Sequence, residues 1–303
     1  MTLSLNNRSP ARTLRRARPL LGTFVEITAT GRSEDGLHAA IDRAFAAIER
    51  VQRLMSFHDP RSEVAQLNRQ AERRAVRVSA WTWQVLLAAQ RLHRETSGAF
   101  DITIAPLLQE WGFLPRDPRD GEVGPCPGGA EDIELLPGQR VRFRRPLRID
   151  LGGIAKGFAV DQAVEELRAS GVPAGVVNAG GDLRVFGSLR QPVHVRHPAR
   201  PGVTIPLRPL AEAALATSAN YFSRRIVGHR RVSPLVDAAR GRACLRGVSV
   251  SVQAPTCLVA DALTKVLFAQ GRKAAPLVRG FGATAFIVNR RGEVFSTHPP
   301  DEA

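Results

Sequence analysis

Lysine, cysteine and long apolar runs are all scarce in this 303-residue chain, and each scarcity removes a class of protein. The three cysteines, Cys126, Cys244 and Cys257, have neither close pairing nor metal-site spacing. That argues against a disulfide framework and fits a reducing compartment. No run of about 18 apolar residues occurs, which excludes a membrane-spanning helix. The start, MTLSLNNRSPARTLRRARPLLG, has no apolar segment long enough for a signal peptide and no cysteine for lipid attachment, so a cytoplasmic location is expected. Only three of the 43 basic residues are Lys (Lys156, Lys265 and Lys273). In a chain that uses Arg nearly everywhere, a Lys marks a place where a compact, titratable ammonium is wanted.

What is present is globular. The apolar fraction of 44% excludes a disordered chain, and the length gives one large domain or two packed lobes. Net charge is 43 − 28 = +15, but the basic residues spread from Arg8 to Arg291 without a stripe, so nucleic acid is not expected as a partner. Residues 1–17 read as a basic lead, 18–298 as a single domain and 299–303 as a tail.

Alternation at 24–30 predicts a strand, with Val25, Ile27 and Ala29 on one face. Leu37, Ile41, Ala44, Ile48 and Val51 follow the helical period, and Ser79 reads as the N-cap of a second helix running to Glu95. The Pro- and Gly-rich stretch 116–138 reads as a surface loop and 141–150 as a strand. A helix over 156–170 closes at Gly171. Strands follow at 174–177, 183–186, 193–196, 213–217 and 248–253, then a helix at 258–270 and a hairpin over 284–297. Few strand–helix–strand units are clean, so the fold class is α+β with a mostly antiparallel sheet, not a dinucleotide-binding parallel sheet.

Four segments could carry chemistry. Asp150-Leu151-Gly152-Gly153-Ile154-Ala155-Lys156-Gly157 runs from a strand into a helix, where backbone N–H groups and the helix dipole favour an anion. Asn178-Ala179-Gly180-Gly181-Asp182 lies between two apolar strands and is either a ligand approach or a hairpin turn. Ser97-Gly98-Ala99-Phe100-Asp101 puts a carboxylate beside an aromatic ring. Asp261, Thr264 and Lys265 fall on one helical face, a spacing that suits oxygen ligands to a hard cation but is also that of an ordinary Asp–Lys ion pair.

Taken in order, these segments resemble the FAD:protein FMN transferases, the ApbE-like flavin transferases, from Arg18 to Thr297. Further matching pieces are Leu21-Gly22-Thr23-Phe24, the run from Met55 to Glu63 with Leu67-Asn68, Trp111-Gly112-Phe113, Ala216-Thr217-Ser218 with Tyr221, and Ala260-Asp261-Ala262-Leu263. The resemblance implies FAD as substrate and Mg²⁺-assisted transfer of FMN to a Thr or Ser hydroxyl of an acceptor protein, with AMP released. It further implies that Leu21, His58, Ala99, Phe100 and Asp101 line the flavin, with Lys156 and Leu235 beside it. The metal would be held by the Ala159 carbonyl, Asp261 and a hydroxyl on the last helix.

The chain departs from the family pattern twice. Lys265 stands where a metal-binding Thr is usual, with a Thr displaced to Thr264, so the ammonium either replaces the metal or accompanies it. Pro234 stands where a His is usual, which leaves Ser233 and His229 as the nearby candidates to activate the acceptor. An FAD carrier without transferase activity, or a hydrolase giving FMN and AMP, is the alternative reading.

Overall fold

The computed structural model describes residues 11–116, 128–221 and 223–297; Cys126 and the middle of the segment read as a loop lie outside them. Eight strands form the main sheet: β1 (Arg12–Leu20), β2 (Thr23–Gly31), β3 (Ala174–Ala179), β4 (Asp182–Phe186), β5 (Ala214–Ala219), β6 (Ser249–Ala254), β7 (Thr284–Val288) and β8 (Val294–Ser296). They lie side by side in chain order, and every neighbouring pair is antiparallel. The expected α+β class with an antiparallel sheet is what the chain adopts.

Side chains alternate across the sheet as the two-residue period requires. Val25, Ile27, Ala29, Val177, Ala179, Ala216, Val250 and Val252 face a large core. Val176, Leu183, Val185 and Leu215 face the opposite side, where the hairpin Gln191–His197/Arg200–Leu210 covers them with Val193 and Leu210.

The helices are α1 (Glu34–Met55), α2 (Glu63–Gln70), α3 (Ala80–Glu95), α4 (Ala105–Glu110), α5 (Ala155–Ala169), α6 (Cys257–Gln270) and α7 (Ala275–Gly280). The stripe Leu37, Ile41, Ala44, Ile48 and Val51 of α1 is buried in the large core with Val160, Val164 and Leu167 of α5 and Leu263, Val266 and Leu267 of α6. Ser79 caps α3 as its sequence position predicts. Gly171 follows α5 at φ +75, the left-handed conformation that ends a helix.

Three sequence expectations change. Residues 12–17, read as lead, are the first part of β1. Four of its nine residues are Arg, and their pairing with Glu34, Glu26, Asp42 and Glu49 masks the strand pattern. The supposed strand 141–150 is paired only over Arg140–Phe143. Beyond it the backbone is held irregularly, because Asn68 clamps Ile149 from both sides: its Nδ2 donates to the Ile149 carbonyl at 2.9 Å and its Oδ1 accepts the Ile149 N–H at 2.8 Å. Within the stretch read as a loop, Ile133–Leu136 is a strand paired with Arg140–Phe143.

Candidate functional site

The site is built where α5 and α6 meet. Gly157, in the first turn of α5, passes so close to α6 that a Cβ would lie 2.3 Å from the Cys257 carbonyl oxygen. Only glycine permits this approach. Two carboxylates then join the helices reciprocally. Asp261 of α6 accepts the Gly157 N–H at 3.1 Å, and Asp161 of α5 accepts the Cys257 and Leu258 N–H groups at 2.9 Å each. Each helix start thus receives a carboxylate from the other, which satisfies N–H groups that have no partner within their own helix and suits the positive end of each helix dipole. Arg184 on β4 pairs with Asp161 at 2.9 Å and completes the clasp.

Beside the clasp lies a cluster of alternating charge, two buried carboxylates with two half-buried ammonium groups. Lys156 pairs with Asp182 at the start of β4 and stands 4.0 Å from Asp261, while Lys265 pairs with Asp261. Burial works against the Lys156 ammonium, but Asp182 and Asp261 together outweigh it and hold it protonated, above the usual lysine range. Burial pushes the Asp182 carboxyl up, opposed by Lys156. The Cys257 thiol, buried and facing Asp182, Asp161 and Asp261, is raised well above its ordinary range, and burial takes Cys244 up to about 11. Both are inert thiols, as a pair that forms no disulfide should be.

Two clefts adjoin this cluster. One, of about 310 Å³, is lined by Ala99, Phe100, Asp101, Phe113, Pro234 and Leu235 together with Lys265 and Ser218. The other, of about 400 Å³, is walled by Leu21, Gly22, Met55, Phe57 and His58. Leu114, Asp150, Gly152 and Lys156 line both, so the glycine turn into α5 is the point where the clefts meet. The walls are shaped by local strain and clamps. Leu21 and Gly22 form the two-residue turn between β1 and β2 at φ +55 and +71, a conformation that costs a leucine about 1 kcal/mol and is held by its N–H on Gln52 at 2.6 Å. Asp101 accepts the Thr103 N–H and hydroxyl at 2.8 Å and pairs with His93 at 3.1 Å. The His93 pKa is raised, first by its bond to Asp101. Asp150 is half-buried between the clefts, and burial raises its pKa against the Gly152 N–H and the charges of His58 and Lys265.

The seven residues expected around FAD, Leu21, His58, Ala99, Phe100, Asp101, Lys156 and Leu235, therefore all line these two clefts. The two candidates for activating an acceptor do not. His229 is exposed at the turn of the hairpin Arg225–Val227/Arg230–Val232, and Ser233 is buried with its hydroxyl accepting the Leu235 N–H at 3.1 Å. Asp150 and Asp182 stand in the glycine-turn segments that the sequence marks, but their pattern there assigns neither a role of its own.

The fold recurs in known proteins. The ApbE family's sequence profile matches residues 21–287. The chain belongs to the ApbE family. An FAD:protein FMN transferase of Vibrio cholerae is 32% identical over 254 residues, 78% of this chain and 74% of the relative. Another, of Klebsiella pneumoniae, is 26% identical over 295 residues, 91% of this chain and 84% of the relative. Among solved structures, the ApbE protein of Thermotoga maritima superposes with a TM-score of 0.81 at 28% identity, over 94% of this chain and 96% of that one. The flavin transferase ApbE of Vibrio cholerae gives 0.78 at 25% identity, over 95% and 97%.

The residues that an ApbE-family reading would assign to Mg²⁺ do not fit a divalent cation here. Both oxygens of the fully buried Asp261 carboxylate are engaged, one by the Gly157 N–H and one by Lys265. The Thr264 hydroxyl lies 2.7 Å from both the Asp261 carbonyl and the Ser218 hydroxyl. Ala159 is buried inside α5 and lines neither cleft. An ammonium cannot ligate a metal while protonated, and a divalent ion 4 Å from one is repelled by about 2 kcal/mol even in water. Among the described residues, His93, Asp101 and Glu131 form the one cluster with metal-type proximity, but they are engaged with one another through His93.

Proposed function

We infer that the chain is an FAD:protein FMN transferase, which moves FMN from FAD to a Thr or Ser hydroxyl of an acceptor protein and releases AMP. One observation carries the reading: two clefts with apolar and aromatic walls meet at a glycine turn that bears an ammonium. A dinucleotide has that form, two flat ends joined by a doubly charged pyrophosphate. Family membership and the names of the relatives point the same way.

In this reading Lys156, kept charged by Asp182 and Asp261, receives the pyrophosphate at the junction. The acceptor hydroxyl oxygen forms a bond to the FMN-side phosphorus while the bond from that phosphorus to the bridging oxygen breaks, and AMP leaves with that oxygen. Charge growing on the leaving phosphate is met by an ammonium that is already in place, which costs no reorganisation at the moment of transfer. The hydroxyl proton goes to Asp150, the carboxylate that lines both clefts and whose burial makes it more basic than an exposed one. The two buried thiols, which form no disulfide, fit the cytoplasmic setting this reading assumes.

Pro234 favours a second reading. A wall residue with no proton-accepting side chain leaves acceptor activation to Asp150 alone, and a protein that binds FAD without transferring it would tolerate that. Incubating the purified protein with FAD and acceptor domains and weighing each acceptor separates the two. Covalent FMN on an acceptor, with AMP in equal amount, supports the transferase. Bound FAD with every acceptor unmodified supports the carrier, and FMN plus AMP without a modified acceptor supports hydrolysis.

A further inference from the structure

Lys265 occupies the position from which a cation would act on the junction of the clefts. Its Nζ donates to the carboxylate of Asp261 and, at 3.0 Å, to the Asp261 backbone carbonyl, the kinds of oxygen that a hard cation takes. An ammonium has three N–H donors, so one remains beyond these two. Lys265 also lines the first cleft, together with Gly153 and Lys156. A Cβ on Gly153 would lie 3.6 Å from the Lys265 Cε and 3.7 Å from the Phe100 ring, so both side chains border the glycine turn into α5. Lys156 approaches the same oxygen of that carboxylate, at 4.0 Å.

We propose that the Lys265 ammonium takes the place of a divalent cation, so that this protein holds the FAD pyrophosphate between Lys265 and Lys156 and needs no Mg²⁺ to do so. The proposal rests on the FAD reading above and adds to it which cationic groups meet the phosphates. The two ammonium groups offset Asp182 and Asp261, so those two acids do not repel the incoming phosphates. The displaced Thr264 offers no competing ligand, because its hydroxyl is committed to Ser218 and to its own helix.

The test is an equilibrium titration of FAD into wild type, Lys265→Thr and Lys265→Met, each with Mg²⁺ and with EDTA, alongside Mn²⁺ binding to the FAD-free proteins by electron paramagnetic resonance. Wild type should bind FAD with the same affinity, within about two-fold, in both buffers and should take up no Mn²⁺. Lys265→Met should bind FAD at least about ten-fold more weakly in both. Lys265→Thr should be weak in EDTA, recover with Mg²⁺ and bind Mn²⁺. A ten-fold loss of wild-type affinity in EDTA, or tight Mn²⁺ uptake by wild type, overturns the proposal. If neither variant folds, judged by thermal unfolding, the two wild-type measurements decide it alone. Failure of every protein to bind FAD overturns the FAD reading instead, and Mn²⁺ uptake by Lys265→Thr but not by wild type would still uphold the exchange of ammonium for metal.

Discussion

The two sides of the first cleft are built by different means. On one side, α5 and α6 are locked by a reciprocal exchange of carboxylates, a glycine that admits backbone against backbone, and two buried carboxylates paired with two half-buried ammonium groups. On the other, residues 233–238 lie on the two-residue pairing Val236–Asp237/Arg242–Ala243, beside an exposed hairpin that reaches across through Arg225 to the Gly112 carbonyl and the Phe113 ring. The first side has a charge for a phosphate and little freedom. The second has apolar contact and no proton acceptor at Pro234, with Val232 and Val236 packed on Leu107, Leu108 and Trp111 and the Leu235 carbonyl accepting the Cys244 N–H at 2.8 Å. In the proposed reading the dinucleotide phosphates bind at the charged side and the protein acceptor approaches over the apolar one.

The largest expected effect breaks the rigid side outright. Gly157→Ala puts a methyl group into the α6 backbone and should cost about 3 kcal/mol or more of stability, read by thermal or denaturant unfolding. A stable Gly157→Ala protein would mean that the helices are not held as closely as described. Next comes the chemistry assigned to the junction. Asp150→Asn keeps the shape but removes the base, so transfer should fall roughly 100-fold while FAD affinity changes little. In wild type, activity should be lost as pH falls through the Asp150 pKa, and that limb should lie above the ordinary carboxylate value, since burial raises it. A pH profile with no acid limb above that value would remove Asp150 from the mechanism.

Much of the rigid side was legible in the sequence, and most of the other was not. Asp150 to Gly157, Asp182 and Asp261 sit next to helix starts and glycine turns, which have local signatures. What could not be read is which carboxylate serves which helix. Asp161 looks like helix interior until α6 crosses it about one hundred residues later in the chain. The same holds for Asn68, whose only visible work is on Ile149. Ser233 and His229 were named for proximity in sequence to Pro234, but a buried serine bonded to the Leu235 N–H and an exposed hairpin turn are tertiary outcomes with no local signal. β1 was missed because paired arginines on an edge strand read as a solvated lead.

Smaller effects sharpen the contrast. His93 carries a raised pKa from Asp101 and Glu131, so its contribution to stability is complete below about pH 6.5 and is lost as pH rises through its folded value. His93→Gln should therefore destabilise by about 1 kcal/mol in mildly acidic buffer and by less in alkaline buffer, measured by unfolding at both. An equal loss at both would assign His93 a purely packing role. His229→Ala, at the far turn of the hairpin, should leave FAD affinity and transfer unchanged within about two-fold, because that side chain is exposed and lines neither cleft.

The central claim is that one FAD spans both clefts with its pyrophosphate at the rigid side. A crystal of the protein grown with FAD tests it most directly. The account predicts density for a single molecule running through both clefts, its phosphates within hydrogen-bonding distance of the Lys156 Nζ and its rings against the walls that carry Phe100, Leu235 and Leu21. Density confined to one cleft, or phosphates placed away from the glycine turn into α5, would contradict it.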